Sequence, residues 1–351
     1  MIIKDLQVKY RNIPLLVPFK TALRTAVDID SIEVEIMLDN GIVGLGAAAP
    51  TVVITGDSTE SIMSALAGPI KKALVGLDLK QFQTTLKRVR LCCIGNTSAK
   101  AAADMALHDA YSKWLNVPLH AFLGGSKRIQ TSMTIGVDTP EKMAWDAEKS
   151  VEAGFHLLKI KVGAHPEMDI VRIESIREAV PAGTMLRLDA NQAWSPKQAV
   201  KLLNEMEKRN LGIELVEQPV AAHDWEGLKY VTEHVGLPVM ADESVFSAKD
   251  ALQLVSGRYA DLINIKLMKC GGIAEAWKIA SVAEANGVKC MVGSMMEPSL
   301  SVAAAAHFAA AHPNIHYMDL DAPLWLSEEP DHLTYDGEDV LLSGRAGIGL
   351  V

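Results

Sequence analysis

LLKIKVG, residues 157–163, is a short apolar strand that ends in two lysines and a glycine, and an amphipathic helical pattern follows it at Glu167–Val180. This unit of strand and helix recurs roughly every 25 to 30 residues, as in a parallel barrel. The predicted strands are Thr131–Ile135, Leu157–Val162, Met185–Asp189, Gly212–Val216, Pro238–Ala241, Leu262–Ile265, Lys289–Val292 and His316–Met318. Eight such strands and seven helices predict an α/β fold, a (β/α)7β TIM-like barrel. An open doubly wound sheet is the alternative, but no Gly-x-Gly-x-x-Gly phosphate turn follows a strand.

The segment before the barrel has a different order of elements. Alternating hydrophobicity predicts three strands, at Ile2–Val8, Ile32–Leu38 and Ile42–Gly46. Helical periodicity predicts three helices, at Thr59–Val75, Leu79–Val89 and Thr97–Leu115. Strands followed by helices are typical of an α+β domain. We therefore place an α+β capping domain at residues 1–125 and the barrel at residues 126–322, with the tail, about residues 323–351, returning to the capping domain.

Charge and composition exclude several classes of partner. A net charge of −9 over 351 residues and a pI near 5.6 argue against nucleic acid or an anionic membrane. No apolar stretch has the length of a membrane span, and the polar start MIIKD is unlike a signal peptide. The four cysteines lack zinc-ligand spacing, which predicts free thiols. We therefore expect a cytoplasmic protein that acts on a small molecule.

Carboxylates stand where successive barrel strands end. Asp189, Glu217 and Asp242 follow three neighbouring strands, and the C-terminal ends of barrel strands meet at one mouth. Three carboxylates at one point repel one another unless a cation neutralises them. Oxygen ligands without histidine or cysteine favour a hard ion. We therefore predict one Mg²⁺ per subunit, with Mn²⁺ as a substitute; salt bridges to the nearby lysines are the alternative.

Lysines flank these carboxylates. Lys161 ends the second predicted strand and Lys266 the sixth, so the two lie on opposite sides of the barrel. A lysine acts as a base only when burial or positive charge lowers its pKa, and Lys159 and the metal supply that charge beside Lys161. One lysine can then remove a proton next to a carboxylate while the other returns it on the opposite face. A divalent ion stabilises the enediolate that forms between the two steps.

The order and spacing of these motifs resemble the muconate-lactonizing-enzyme branch of the enolase superfamily. The resemblance spans the whole chain and rests on LKIKVG (158–163), DAN (189–191), EQP (217–219), ADES (241–244) and NIK (264–266). It implies that Asp189, Glu217 and Asp242 bind the metal and that Lys161 and Lys266 are the acid/base pair. It also implies an isomerase whose N-terminal domain closes the pocket and which assembles as a homo-oligomer.

Two aspartates separate the activities of this branch. Asp319 and Asp321 resemble the Asp-x-Asp motif of dipeptide epimerases. Two carboxylates there can hold the ammonium group of a dipeptide whose carboxylate is bound by the metal. We therefore predict epimerisation at the α-carbon of the C-terminal residue of an L,L-dipeptide. The alternatives are an N-acylamino-acid racemase, an o-succinylbenzoate synthase and, from another class, a non-catalytic binding protein on a degenerate barrel.

Loops of the capping domain are predicted to select the dipeptide. FKTALRT (19–25) resembles the cap loop of Ala-Glu epimerases, which implies that Arg24 reaches an acidic side chain. The side-chain preference is therefore expected to depend on residues 20–26 and 52–57. The other predicted substrate contacts are Lys159, Thr134, Ser294 and Met296. Ala47 stands where relatives often carry glutamate, so the identity of the dipeptide stays open.

Overall fold

The computed structural model describes residues 1–22, 24–328 and 331–349. Leu23 of the predicted cap loop, and residues 329–330 and 350–351 of the predicted tail, lie outside the described residues. The chain begins with an antiparallel sheet of β1 (Ile3–Lys20), β2 (Thr25–Leu38) and β3 (Val43–Ala48). The helices that follow are α1 (Val52–Thr55), α2 (Thr59–Ala65), α3 (Lys71–Leu74), α4 (Phe82–Leu91), α5 (Thr97–Leu115) and α6 (Leu119–Leu123). The predicted α+β order of elements is confirmed.

Two elements of this region differ from the prediction. The β1–β2 hairpin extends well beyond the predicted segments. Its outer part holds the buried cross-strand pair Ile13 and Ile29 as well as polar pairs such as Arg11 with Glu33 (3.2 Å), but Pro14 and Pro18 interrupt the strand pattern of the sequence there. The predicted helix Thr59–Val75 is interrupted by a π-helical turn, Leu66–Ile70, which contains Pro69. Proline lacks an N–H and its ring clashes with the preceding turn, so the helix widens there.

A single sheet of eight parallel strands in sequence order forms the second part of the molecule, after the short strand β4 (Ile129–Gln130). Its strands are β5 (Met133–Ile135), β6 (Leu157–Lys161), β7 (Met185–Asp189), β8 (Ile213–Glu217), β9 (Val239–Ala241), β10 (Leu262–Lys266), β11 (Lys289–Gly293) and β12 (Ile315–Asp319). The sheet nearly closes where the N–H of Ser132 donates to the carbonyl of Met318 (3.4 Å). The barrel prediction is confirmed, and the doubly wound alternative is wrong.

Helices alternate with these strands. They are α7 (Pro140–Glu152), α8 (Pro166–Ala179), α9 (Pro196–Lys208), α10 (Trp225–His234), α11 (Ala248–Gly257), α12 (Leu267–Cys270), α13 (Ile273–Ala285) and α14 (Ser299–Ala311). The predicted barrel strands and the predicted helix Glu167–Val180 agree with the structure to within one or two residues. None of the helices in the described part of the chain has the length and apolar character needed to cross a membrane.

The interior of the barrel changes from apolar to polar along its strands. Side chains alternate between inside and outside, so every second residue of a strand points inward. One inward layer is an apolar cluster of Leu215, Met240, Leu262 and Met291. Two residues further along the same strands stand Glu217, Asp242, Asn264 and Gly293. The apolar layer thus supports a polar layer at the C-terminal mouth.

The tail contacts both parts of the molecule. After a 3-10 turn at Ala322–Trp325, β13 (Leu333–Asp336) and β14 (Asp339–Leu342) form a small sheet with β4. Leu326 bridges Leu15 of the first hairpin, and the N–H of Ile348 donates to Asp109 of α5 (2.7 Å). The domain boundaries placed at residues 125 and 322 stay predictions.

Two glycines let β3 lie directly on α5. A Cβ on Gly46 would lie 2.1 Å from the carbonyl oxygen of Ala102, and one on Gly44 would lie 2.1 Å from that of Ala106. We expect Gly46→Ala to lower the free energy of unfolding by about 1–3 kcal/mol through overpacking, measured by urea denaturation. Gly183→Ala is the control, because its Cβ would meet no atom within 4 Å. Equal stability of the two variants would contradict this close approach.

Candidate active site

The register of the barrel strands brings three predicted site residues to one level. Lys161 of β6 pairs with Asp189 of β7, which pairs with Glu217 of β8. All three are buried, and Asp189 is fully inaccessible to solvent. Nζ of Lys161 lies 2.6 Å from Oδ2 of Asp189. The site therefore begins as a row of opposite charges across neighbouring strands.

Lys159 lies at the centre of this row. Its ammonium is 3.1 Å from Asp189, 2.8 Å from Glu217 and 2.7 Å from Asp319. Burial acts to lower the pKa of Lys159, but the carboxylates of Asp189, Asp319 and Glu217 raise it well above its ordinary value. Lys159 is therefore held as an ammonium ion between strands β6, β7, β8 and β12.

Lys266 has the same relation to Asp242 that Lys161 has to Asp189. Nζ of Lys266 lies 2.6 Å from Oδ2 of Asp242, just beyond the end of β9. Burial acts to lower the pKa of Lys266, but the carboxylates of Asp242, Glu217 and Glu243 together raise it. Lys161 and Lys266 are four strands apart in an eight-stranded barrel, so they face the mouth from opposite sides. This geometry agrees with the placement expected from the sequence.

The buried carboxyl groups at the mouth outnumber the lysines that pair with them. Burial opposes ionisation of Asp189 and Asp242, but Lys159 beside the first and Lys266 beside the second hold both pKa values well below the usual range. Burial and the charge of Asp189 raise the pKa of Glu217 to about 8, although Lys159 is close. Further positive charge at this point would lower the pKa of Glu217.

The donor set fits a hard divalent cation by its chemistry. Four buried oxygens at the mouth accept no hydrogen bond within the described residues: Asn191 Oδ1, Asp242 Oδ1, Glu243 Oε2 and Asn264 Oδ1. Oxygen donors with excess negative charge are what Mg²⁺ or Mn²⁺ prefers. Within residues 1–22, 24–328 and 331–349, however, no three side chains form a recognisable ligand set. The reason is that the carboxylates are turned towards the ammonium groups of Lys159, Lys161 and Lys266.

The two aspartates after β12 differ in their environment. Asp319 is bound by Lys159 and also accepts a hydrogen bond from the hydroxyl of Ser132 (2.9 Å). Asp321 accepts only neutral hydrogen bonds among the described contacts, from the N–H of Thr134 (2.7 Å) and from Nε1 of Trp325 (3.2 Å). Burial and the charge of Asp319 raise the pKa of Asp321 to about 6. Asp321 is thus a buried carboxylate without a cationic partner in the described structure.

One cavity unites the residues predicted to contact the substrate. The cap contributes Phe19, Arg24, Val53 and Ile54 to its wall, and the barrel contributes Thr134, Lys159, Lys161, Lys266, Ser294, Met296, Asp319 and Asp321. Burial lowers the pKa of Arg24, and no carboxylate pairs with its guanidinium in the described part of the chain. Ala47 does not line this cavity; it is buried in the cap core.

Comparisons with known proteins agree with this arrangement. Residues 4–124 match the family described as "Mandelate racemase / muconate lactonizing enzyme, N-terminal domain", and residues 142–351 match "Enolase C-terminal domain-like". The chain belongs to the enolase superfamily. The L-Ala-D/L-Glu epimerase of Clostridium acetobutylicum is 47% identical to it over 100% of this chain and 99% of that protein.

Solved structures of the superfamily are also similar to this chain. The L-Ala-D/L-Glu epimerase from Bacillus subtilis, in a substrate-liganded complex, is 48% identical with a TM-score of 0.98, over 100% of this chain and 99% of that chain. The dipeptide epimerase of Enterococcus faecalis, complexed with Mg and the dipeptide L-Leu-L-Tyr, is 42% identical with a TM-score of 0.95 over the same shares. Both resemble this chain along its full length.

The enolase-superfamily site of this chain also contains residues that the sequence did not single out. Ser132 holds Asp319, and Glu297 accepts the N–H of Met295 in the cavity wall (2.7 Å). Lys269 is fully buried beside Asp242. A signal for Lys269 was present, since it is a charged residue in the otherwise apolar segment 267–270. Its partners were not predictable, because they lie on two other elements.

Proposed function

We propose that this chain is a magnesium-dependent dipeptide epimerase, an isomerase that inverts the α-carbon of the C-terminal residue of an L,L-dipeptide. The observation that carries this proposal is one cavity that Lys161 and Lys266 face from opposite sides, with Asp321 in its wall as a carboxylate without a cationic partner in the described structure. The epimerases named above support it, because their similarity covers both the cap and the barrel.

The residues of the site have different roles in the reaction. Asp189, Glu217 and Asp242 would hold Mg²⁺, which supplies positive charge for the enediolate that forms when the α-proton leaves. Lys161 and Lys266 flank the α-carbon, so that one accepts the proton and the other donates a proton to the opposite face. Each lysine must release its carboxylate partner before it can act as a base, and a cation bound by those carboxylates favours that release.

The two ends of a dipeptide are recognised by opposite charges. Asp319 and Asp321 hold the ammonium group, and Asp321 is the stronger candidate because Lys159 already pairs with Asp319. The buried guanidinium of Arg24, which pairs with no carboxylate among the described residues, favours an acidic side chain on the epimerised residue. We therefore propose L-Ala-L-Glu as the substrate. The test is incubation with Mg²⁺ in D₂O, in which mass spectrometry should detect one deuterium at the glutamate α-carbon and chiral separation should detect L-Ala-D-Glu.

Arg24 should govern selectivity between dipeptides. We expect Arg24→Met to lower kcat/KM for L-Ala-L-Glu by about ten- to hundredfold, since a charge-assisted hydrogen bond to a carboxylate contributes about 1.5–3 kcal/mol. Turnover of an uncharged dipeptide such as L-Ala-L-Leu should be unchanged or improved. A steady-state comparison of both substrates measures this. An equal loss on both would show that Arg24 supports the loop rather than the glutamate side chain.

Asp321 should bind the ammonium group of the substrate. We expect Asp321→Asn to raise KM steeply and to lower kcat/KM by about ten- to hundredfold. N-acetylation of the dipeptide removes the ammonium charge with which Asp321 pairs. The losses in transition-state free energy from the two changes should therefore be far less than additive when both are made. Asp336→Asn, at an exposed aspartate of β13, is the control. If the N-acetylated substrate reacts as well as the free dipeptide, an N-acylamino-acid racemase becomes the better assignment.

Two further expectations from the sequence stay predictions. They are a cytoplasmic location and assembly into a homo-oligomer.

The four cysteines, Cys92, Cys93, Cys270 and Cys290, are free thiols in the structure, as expected from the sequence.

A further inference from the structure

Strands β9 and β10 stop pairing just before the residues on which the site depends. The last pair of the described ladder joins Ala241 to Ile263, one residue before Asp242 and Asn264. Asp242 is a proposed metal ligand, and Nδ2 of Asn264 donates to Oε1 of Glu217 (2.8 Å), a second proposed ligand. Something other than the backbone ladder must therefore hold these two strand ends at a fixed separation.

The ammonium group of Lys269 spans this gap. Lys269 lies in α12, one helical turn after Lys266, and is fully buried. Its Nζ donates to the carbonyl of Asn264 (3.0 Å) and to the carbonyl of Asp242, and it lies 2.5 Å from Oδ1 of Asp242. We propose that Lys269 is a positioning residue, which joins the ends of β9 and β10 and thereby fixes Asp242 and Asn264 for cation binding.

Three observations support a positioning role for Lys269 rather than a role in the stability of the whole fold. A buried ammonium is costly unless it is paired and hydrogen-bonded, and this one donates to two carbonyls and lies beside the carboxylate of Asp242. The N–H of Asp242 is itself bound by Oε1 of Gln218 (2.8 Å), so side chains hold both main-chain groups of this residue. Through Asn264, Lys269 also reaches Glu217. One side chain thus connects two of the three proposed ligands.

Lys269 and Lys266 have different functions on the same carboxylate. Lys266 contacts Oδ2 of Asp242 and lines the substrate cavity, whereas Lys269 contacts Oδ1 from behind and is not among the residues that line it. Lys266 can therefore leave Asp242 and transfer a proton to or from the substrate. Lys269 does not reach the cavity and has no such function. The part of this inference that concerns the metal rests on the proposed function; the joining of the strand ends does not.

The experiment compares Lys269→Met with the wild-type protein. Methionine has a similar length without the charge or donors. In metal-free protein, hydrogen exchange followed by mass spectrometry should show amides of residues 242–246 and 264–268 exchanging at least about tenfold faster, with other segments unchanged. Calorimetry should show Mg²⁺ affinity weakened by about 10- to 100-fold, as for other residues that orient metal ligands. Lys269→Arg, which keeps the charge and several donors, should recover most of that affinity.

Lys249→Met, at an exposed lysine of α11, is the matched control and should change neither measurement. Unchanged exchange at the two strand ends in Lys269→Met would overturn the inference. Tighter Mg²⁺ binding in that variant would also overturn it, because Lys269 would then only compete with the cation. Failure of both variants to fold would assign Lys269 to the stability of the whole barrel and equally overturn it. Failure of the wild-type protein to bind Mg²⁺ would instead refute the proposed function and leave the exchange result standing.

Discussion

Lys266→Ala should slow epimerisation in both directions by about 10²- to 10⁴-fold in kcat, the usual contribution of a general acid or base. Each direction needs one lysine to accept the α-proton and the other to donate one. Lys161→Ala should therefore lower kcat for epimerisation as much as Lys266→Ala does. The measurement is chiral analysis of L-Ala-L-Glu and L-Ala-D-Glu reacted separately with each variant.

Deuterium exchange distinguishes loss of one lysine from collapse of the site. In D₂O, the Lys266→Ala variant should still exchange the α-proton of one stereoisomer through Lys161, and Lys161→Ala should exchange that of the other. Lys289→Ala is a suitable control, because Lys289 is an exposed lysine at the opposite end of barrel strand β11. Epimerisation at the wild-type rate in Lys266→Ala would exclude the two-base mechanism.

Asp189→Asn, Glu217→Gln and Asp242→Asn should each abolish turnover and weaken Mg²⁺ binding. The reason is that these three carboxyl groups meet at adjacent strand ends, and burial and the charge of Asp189 raise the pKa of Glu217, so a cation there would favour its ionised form. EDTA treatment of the wild-type protein should have the same effect on turnover, and added Mg²⁺ should restore it. The variants should not be restored at the Mg²⁺ concentration that suffices for the wild-type protein.

Calorimetry with Mg²⁺ on the metal-free proteins separates weakened Mg²⁺ binding from loss of turnover. A variant that binds Mg²⁺ normally but does not react would place that carboxylate outside the ligand set. Full activity of the EDTA-treated wild-type protein would refute the metal assignment as a whole. Glu243→Gln is an informative companion, because Glu243 is buried at the same mouth and its Oε2 accepts no hydrogen bond within the described part of the chain, but Glu243 was not assigned as a ligand.

The barrel could be recognised from the sequence because its strands are short, apolar and regularly spaced. Strand ends were located to within one or two residues, and this was enough to bring Lys161, Asp189 and Glu217 together, since parallel strands place their C-terminal ends at one mouth. The long β1–β2 hairpin was underestimated because Pro14 and Pro18 interrupt its strand pattern, although Ile13 and Ile29 pair across its outer part and are buried. Pro69 was visible in the sequence, but the π-helical turn around it was not predicted.

The sequence by itself determined which strands carry charge at their ends, because side-chain alternation and strand length are local properties. Only the tertiary structure decided how those charges pair. Lys159, expected to supply positive charge beside Lys161, also joins Asp189, Glu217 and Asp319. Lys269 became part of the site because two strands end beside it. Such pairings depend on distances between residues far apart in the chain, and these distances are set only when the barrel closes.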